Sequence, residues 1–198
     1  MYDKIVFASK NKGKIREVKQ LFSSIGIDVL PPPEDFEVVE DGNTFLQNAF
    51  KKAKEAAMLT KSIALADDSG LIVDALNGEP GIHSSRYAKD DKTRINKLLQ
   101  ELKDVPKEKR QARFVCAMAL VDKEGTLLHS TEGICEGEII FESRGNDGFG
   151  FDPVFYLPAL NFTMAEIPLE IKNNISHRAK AFKQMLNWIS ANKNLICL

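Results

Sequence analysis

The run Ile63-Ala64-Leu65-Ala66, followed at once by Asp67-Asp68-Ser69-Gly70, constrains this chain more than any other stretch. Four consecutive apolar residues read as a buried strand. The turn-forming residues after them predict that its C-terminal end delivers two adjacent carboxylates into a tight turn. In open α/β sheets ligands collect at the C-terminal ends of strands, so the position favours chemistry. Two neighbouring carboxylates repel each other and are costly to bury without a cation or hydrogen-bond donors. A hard divalent ion such as Mg²⁺, which takes oxygen ligands, would supply that compensation. The other reading of the same residues is a turn with both acids in water.

The rest of the chain supplies βα units around this strand. Ile5 to Ala8 reads as a first buried strand and Lys14 to Phe22 as a helix with Ile15, Val18, Leu21 and Phe22 on one face. Gly26 ends that unit, Ile27 to Leu30 forms a second strand, and Pro31 to Pro33 impose an extended connection. A long helix is predicted from Phe45 to Lys61, opened by the capping box Thr44-Phe45-Leu46-Gln47. Leu71 to Asp74 continues past the acidic turn to a Gly78-Glu79-Pro80-Gly81 turn, and Asp91 to Leu102 reads as another amphipathic helix. Arg113 to Val121 and Thr126 to Phe141 are rich in β-formers, and Lys123-Glu124-Gly125 between them predicts long antiparallel strands. Gly145 to Pro153 is a glycine-rich turn, and Ser176 caps a last helix reaching about Ala191. These elements predict an α/β protein with a mixed sheet, as one domain over residues 1–198 with no internal repeat.

The chain has 27 basic and 28 acidic residues and a net charge of -1, which argues against nonspecific nucleic-acid or membrane binding. Any anion site must therefore be built locally. The cysteines, Cys116, Cys135 and Cys197, are widely spaced and lack a CxxC pair, which predicts reduced thiols in a cytoplasmic protein, with Cys116 in the core. No secretory or membrane-spanning segment is expected from the sequence.

Four further stretches carry chemistry. Ser9-Lys10-Asn11-Lys12-Gly13-Lys14 joins the first strand to its helix, where free N–H groups and the helix dipole attract phosphate. It is not a Walker A loop, because the leading glycine is missing and Ile15 stands where Ser or Thr should. The competing reading is an ordinary N-cap with solvated lysines. Glu40 in Glu40-Asp41-Gly42 could join the acidic pair on a metal, or simply complement the following helix dipole. Phe149-Gly150-Phe151-Asp152 offers two aromatics in a loop, suited to stacking on a base at about 1–3 kcal/mol per contact, or to anchoring the loop. Arg178 in Ser176-His177-Arg178 puts a cation in a first helical turn against the dipole, which suggests service to a ligand, with Lys172 one turn earlier. A salt bridge to Glu166 or Glu170 is the alternative. His83, His129 and His177 stand far apart in sequence, and neither HExxH nor GxSxG occurs, which argues against a zinc site and a Ser-His-Asp hydrolase.

In order and spacing these motifs resemble the inosine triphosphate pyrophosphatase family, enzymes that hydrolyse deaminated purine nucleoside triphosphates. The matching pieces are Ser9-x-Asn11-x-x-Lys14, Glu40-Asp41-Gly42-x-Thr44-Phe45, Ala66-Asp67-Asp68-Ser69-Gly70-Leu71 and Pro80-Gly81-Ile82-x-Ser84-x-Arg86-Tyr87. Gly148-Phe149-Gly150-Phe151-Asp152-Pro153 and Ser176-His177-Arg178 complete the set, which spans nearly the whole chain. The resemblance implies a two-lobed α/β fold with a long curved mixed sheet flanked by helices, a nucleotide cleft between the lobes, a homodimer and dependence on Mg²⁺. It implies that Ser9, Lys10, Asn11, Lys12, Gly13 and Lys14 hold the triphosphate. Glu40 and Asp68 would bind or position the metal, Asp68 would accept the proton of the attacking water, and Ser69 would touch substrate. Phe149, Gly150, Phe151, Asp152, Lys172, His177 and Arg178 would form the base pocket. Gln47 stands where that family usually has Glu, yet it still completes a capping box. Phe151 replaces the more usual Tyr or Trp, keeping a stacking face and losing a polar handle. The implied activity is hydrolysis of ITP, dITP and XTP to the monophosphate and pyrophosphate. Its rivals are a pyrophosphatase for modified pyrimidine nucleotides and a nucleotide-binding regulator without turnover. Asp67-Asp68 and Lys14 argue against the regulator, since a pure binder needs no base.

Overall fold

The computed structural model describes residues 3–23 and 26–192. Cys197, expected to be a reduced thiol, lies outside the described residues, whereas Cys116 and Cys135 are both buried and neither is in a disulfide. A seven-stranded mixed sheet carries the fold, with strand order β2-β1-β3-β4-β5-β6-β7. Its strands are β1 (Asp3–Phe7), β2 (Ile27–Leu30), β3 (Ala64–Val73), β4 (Gln111–Val121), β5 (Leu127–Ile139), β6 (Phe155–Leu157) and β7 (Phe162–Thr163). The helices are α1 (Lys12–Ser23), α2 (Phe45–Thr60), α3 (Asp91–Glu101), α4 (Leu169–Ile175) and α5 (His177–Ala191). β1 pairs in parallel with β2 and with β3, while β6 runs antiparallel to β5 and β7. The parallel half follows from the βα connections predicted by the sequence, because parallel neighbours need a crossover of a dozen or more residues.

One expectation fails instructively. Asp67-Asp68-Ser69-Gly70 is no turn; it lies inside β3, a single ten-residue strand that also absorbs Leu71 to Val73. Asp, Ser and Gly favour turns when water or their own backbone satisfies them. Here the two Asp side chains find cationic partners in the fold, so tertiary contacts override local preference. α4 was also not foreseen: it is only seven residues long and follows Pro168.

The chain divides into two compact units. The first comprises residues 1–68, 116–133 and 178–198. Its strands alternate cleanly, as the two-residue repeat of a strand requires. Ile5, Phe7, Leu65, Cys116, Met118 and Leu120 cluster with Val18 and Phe22 of α1 and Phe182 and Met185 of α5. Val6, Ala8, Ala64, Ala66, Ala119 and Val121 cluster instead with Ala49, Ala53, Ala56 and Ala57 of α2. The alanine stripe lets α2 lie close to the sheet. The second unit, residues 69–115 and 134–177, has its own core of Leu71, Ile95, Leu98, Phe114, Phe155 and neighbouring residues. Among the described residues no helix is long and apolar enough to cross a membrane.

The stripe generates a test. Ala53 is fully buried between helix and sheet residues. Replacing it with leucine adds three carbons to a packed face and is expected to lower stability by about 1–3 kcal/mol. Urea unfolding followed by circular dichroism would read this, and an unchanged midpoint would mean that α2 does not seat on the sheet through its alanines.

Candidate active site

The adjacent acids of β3 have separate environments because consecutive strand residues face opposite sides of a sheet. Asp67 follows Leu65 onto the side packed by α1 and α5. Its Oδ2 lies 3.0 Å from Lys14 Nζ of α1 and 3.2 Å from Arg178 Nε of α5. Arg178 is 2% exposed and reaches on through Nη1 to the carboxylate of Glu17, itself buried on α1. Burial alone would push the Asp67 carboxyl up, but the charges of Lys14, Arg178 and Lys52 together outweigh it and hold Asp67 well below the usual carboxylate range. The Cys116 thiol, 3.8 Å from the same carboxylate, is pushed up by burial and by that negative charge.

Asp68 follows Ala64 and Ala66 onto the α2 side. Asn48 Nδ2 donates to its Oδ2 at 3.0 Å, and Lys52 Nζ stands 3.6 Å from its Oδ1. Asn48 and Lys52 are one helical turn apart on α2, so one face of the helix serves one carboxylate. Lys52 also donates to Glu40 at 2.5 Å, and thereby bridges the two acids. Burial raises the Asp68 carboxyl; the nearby lysines work against it and Glu40 adds to it, leaving the group above its ordinary value. Burial alone would lower Lys52, yet Asp68, Asp67 and Glu40 raise it overall. Gly42 completes the approach. Its N–H donates to Asn48 Oδ1 at 2.8 Å, and a Cβ there would meet that oxygen at 2.7 Å. Gln47 keeps a capping function: its N–H donates to Thr44 Oγ1 at 3.1 Å, and its Oε1 accepts from the Asn43 N–H at 2.7 Å, one residue earlier than a capping box requires.

At the start of α1, Asn11 rather than a residue beside Lys14 opens the helix. Its Oδ1 accepts the Lys14 N–H at 3.1 Å and its own N–H donates to Ser9 Oγ at 3.2 Å. Lys10 donates to the Glu34 carbonyl at 2.8 Å. Lys12 is exposed, Gly13 and Lys14 are half-buried, and Ser69 is half-buried within β3.

In the second unit, Asp152 organises the glycine-rich loop. Its Oδ2 accepts the Phe149 N–H at 2.9 Å and Lys172 Nζ at 2.7 Å, with both charged side chains buried. A Cβ on Gly148 would stand 2.1 Å from that oxygen, and its φ of +80° independently requires glycine. Lys172 also lies 4.8 Å from the centre of the half-buried Phe149 ring. Gly150 N–H donates to Asp91 Oδ2 at 2.8 Å. Phe151, by contrast, is core, 4% exposed and edge-on to Tyr87 at 6.2 Å between ring centres. For this residue the loop-anchor reading fits the packing, and Phe149 keeps the accessible face. His177 is buried and stacks on Phe114 at 4.8 Å. Of the two readings of Arg178, service to a ligand or a salt bridge to Glu166 or Glu170, the second does not describe its acidic partners: it pairs with Glu17 and Asp67, while Glu166 pairs with Arg144.

The first unit thus gathers Lys14, Glu40, Asp67, Asp68 and Arg178, and the second gathers Phe149, Asp152 and Lys172, with His177 stacked on Phe114. Sequence reading missed Glu17, Asn48 and Lys52. The signal for Asn48 and Lys52 was their four-residue spacing on the capped helix; for Glu17 it was the three-residue spacing from Lys14. Among the described residues no three His, Cys, Asp or Glu side chains gather as a ready metal cluster. The oxygen pair Glu40 and Asp68 already shares one cation, the Lys52 ammonium, so its chemistry suits a hard metal ion completed by other oxygens.

The site is thus an open mixed α/β sheet whose buried strand carboxylates are each met by a lysine, Lys14 at Asp67 and Lys52 at Asp68. The Ham1 family model matches residues 5–188. The chain is 49% identical over 193 residues to a dITP/XTP pyrophosphatase of Desulforamulus reducens, covering 94% of this chain and 96% of that protein. It is 50% identical over 187 residues to a dITP/XTP pyrophosphatase of Geobacillus kaustophilus, covering 91% of each. Among solved structures, a HAM1 protein from Coxiella burnetii superposes with a TM-score of 0.87 at 41% identity, covering 96% of this chain and 99% of that one. The Staphylococcus aureus Ham1 protein gives 0.85 at 40% identity, with coverage of 96% and 99%. The chain belongs to the Ham1 family.

The two acids should respond oppositely to neutralisation. Asp67→Asn leaves Lys14 and Arg178 short of a buried counter-charge and is expected to cost about 3–5 kcal/mol of stability. Asp68→Asn removes a carboxylate whose charged form the fold disfavours, and in metal-free buffer it is expected to leave stability unchanged or slightly higher. Because the Asp67 carboxyl is depressed, its contribution is complete above the ordinary carboxylate range and is lost as pH falls through the lowered value. The gap between wild type and Asp67→Asn should therefore close on acidification below about pH 4. Denaturant melts across pH would check both; equal destabilisation by the two variants contradicts the assignment.

Proposed function

We propose that this chain hydrolyses non-standard purine nucleoside triphosphates, with dITP, ITP and XTP as substrates and the monophosphate and pyrophosphate as products. The observation that carries the reading is the environment of Asp68, a buried carboxylate held above its ordinary value beside Lys52 and Glu40. A general base works best when its pKa lies closer to the working pH. The names borne by relatives at 49% and 50% identity support the substrate class.

In this reading the N–H groups at the start of α1 and the Lys14 ammonium bind the phosphates, with Ser9 and Asn11 fixing the loop. Lys10 and Lys12 add positive charge. Glu40 and Asp68 would hold Mg²⁺, which when bound would neutralise phosphate charge and polarise the bond to be broken. Asp68 takes the proton of a water attacking the α-phosphorus in line with the departing pyrophosphate. Lys52 keeps Glu40 and Asp68 together when the metal is absent, and Ser69 contacts substrate. Phe149 supplies a stacking face, while Lys172, held by Asp152, and His177 supply donors. Gly150 and the buried Phe151 shape the loop that presents them. Hypoxanthine and xanthine carry a 6-keto acceptor where adenine carries an amino donor, and a site built on hydrogen bonds rejects the mismatched analogue by roughly 10⁴-fold or more. Arg178 enters through Asp67 rather than as an exposed reader of the base. The same reading makes the enzyme a cytoplasmic homodimer, and Cys116 and Cys135, buried and outside any disulfide, suit a reducing compartment.

Pyrophosphate release measured with Mg²⁺ across dITP, XTP, GTP, ATP and dUTP tests the proposal. Release from dITP and XTP far above ATP, abolished by Asp68→Asn, is expected. Preference for dUTP would favour a pyrimidine pyrophosphatase, and tight binding without release would favour a regulator.

A further inference from the structure

We propose that Glu17 is a positioning residue for Lys14, acting through Arg178 and Asp67 to hold the lysine ready for phosphate; this deepens the triphosphate reading above and rests on it. Glu17 lies on α1, three residues after Lys14, and is 3% exposed. Its carboxylate pairs with Nη1 of Arg178, whose Nε lies 3.2 Å from Asp67 Oδ2. That same oxygen is 3.0 Å from Lys14 Nζ. The four side chains alternate in sign from Glu17 to Arg178, Asp67 and Lys14, and Lys14 closes the series back onto α1.

The shared oxygen makes the arrangement competitive. A guanidinium prefers to grip a carboxylate with two parallel N–H bonds. Glu17 holds Nη1, away from the Nε edge that meets Asp67, and so fixes the angle at which the guanidinium presents Nε to Oδ2, the oxygen that also carries Lys14. With Glu17 neutral, Arg178 gains reason to turn its whole fork onto Asp67 and displace the ammonium. Lys14, on a flexible four-carbon stem, then loses its anchor, and phosphate binding must supply the ordering that the free protein now contains. Glu17 thus acts on the phosphate without touching it.

The test is a double-variant cycle on the full chain, with sodium tripolyphosphate as the probe in metal-free buffer of low ionic strength, read by titration calorimetry. Glu17→Gln is expected to weaken binding by roughly tenfold, within the range that coupled neighbours show. In a Lys14→Ala background the same substitution should have no further effect. Unchanged binding in Glu17→Gln, or an equal further loss in the Lys14→Ala background, would overturn the proposal, because a general structural defect adds to the loss of Lys14 rather than acting through it. Should Glu17→Gln not fold, Glu17→Asp keeps the charge but shortens the reach, and the same cycle applies with the same opposing outcomes. Wild type that fails to bind tripolyphosphate also overturns the proposal. Wild type that binds tripolyphosphate, shows the coupling and releases no pyrophosphate from dITP leaves the role of Glu17 standing and removes the pyrophosphatase reading instead.

Discussion

The structure depends on the two-residue alternation of β3 across Asp67 and Asp68. Because consecutive side chains of a strand face opposite sides, two neighbouring carboxylates are given to two different helices without having to share a site. Asp67 is matched by Lys14 and Arg178, carried by α1 and α5, while Asp68 is matched by Asn48 and Lys52 of α2. Each acid thereby avoids the cost of an uncompensated buried charge. Their separation also divides labour. Asp67, beside two cations, is held ionised, whereas burial pushes the less compensated Asp68 toward protonation, the property on which its proposed role as base rests.

The helices around β3 are built for these contacts. α2 presents alanines to the sheet so that it can approach closely, and the polar Asn48 and Lys52 stand where its N-terminal half meets the strand acid. Gly42 matters for the same reason, since any side chain there would collide with Asn48. In the second unit Asp152 plays a corresponding part, tying a loop N–H and Lys172 to one oxygen. Both arrangements use a buried carboxylate to fix a lysine, and a fixed lysine loses less freedom when it meets a ligand.

Much of this was legible in the sequence. β2 was delimited at Ile27–Leu30, and α2 begins at Phe45 because Thr44 caps it as its residue type suggests. The residues that gather around Asp67 and Asp68 include Lys14, Glu40 and Arg178, all singled out by their places at or just before helix starts. What sequence reasoning could not give was the side on which each acid falls, because turn propensity and strand alternation compete over Asp67 to Gly70 and only the partners across the fold decide. Arg178 shows the same limit. Its unfavourable place at a helix start was visible, but whether Glu17, Glu166 or a ligand answers its charge depends on contacts more than 150 positions apart in the chain. Phe151 looked like a loop aromatic and proved to be core, since a two-residue aromatic spacing does not say which ring points inward.

The proposed chemistry requires Asp67 and Asp68 to be electrostatically distinct, and side-chain carboxyl chemical shifts followed through a pH titration of the metal-free protein measure that directly. Asp67 should remain ionised well below the ordinary carboxylate range while Asp68 takes up its proton above it. Two acids titrating together near the ordinary value, or in the reverse order, would contradict the separation on which the proposed chemistry depends.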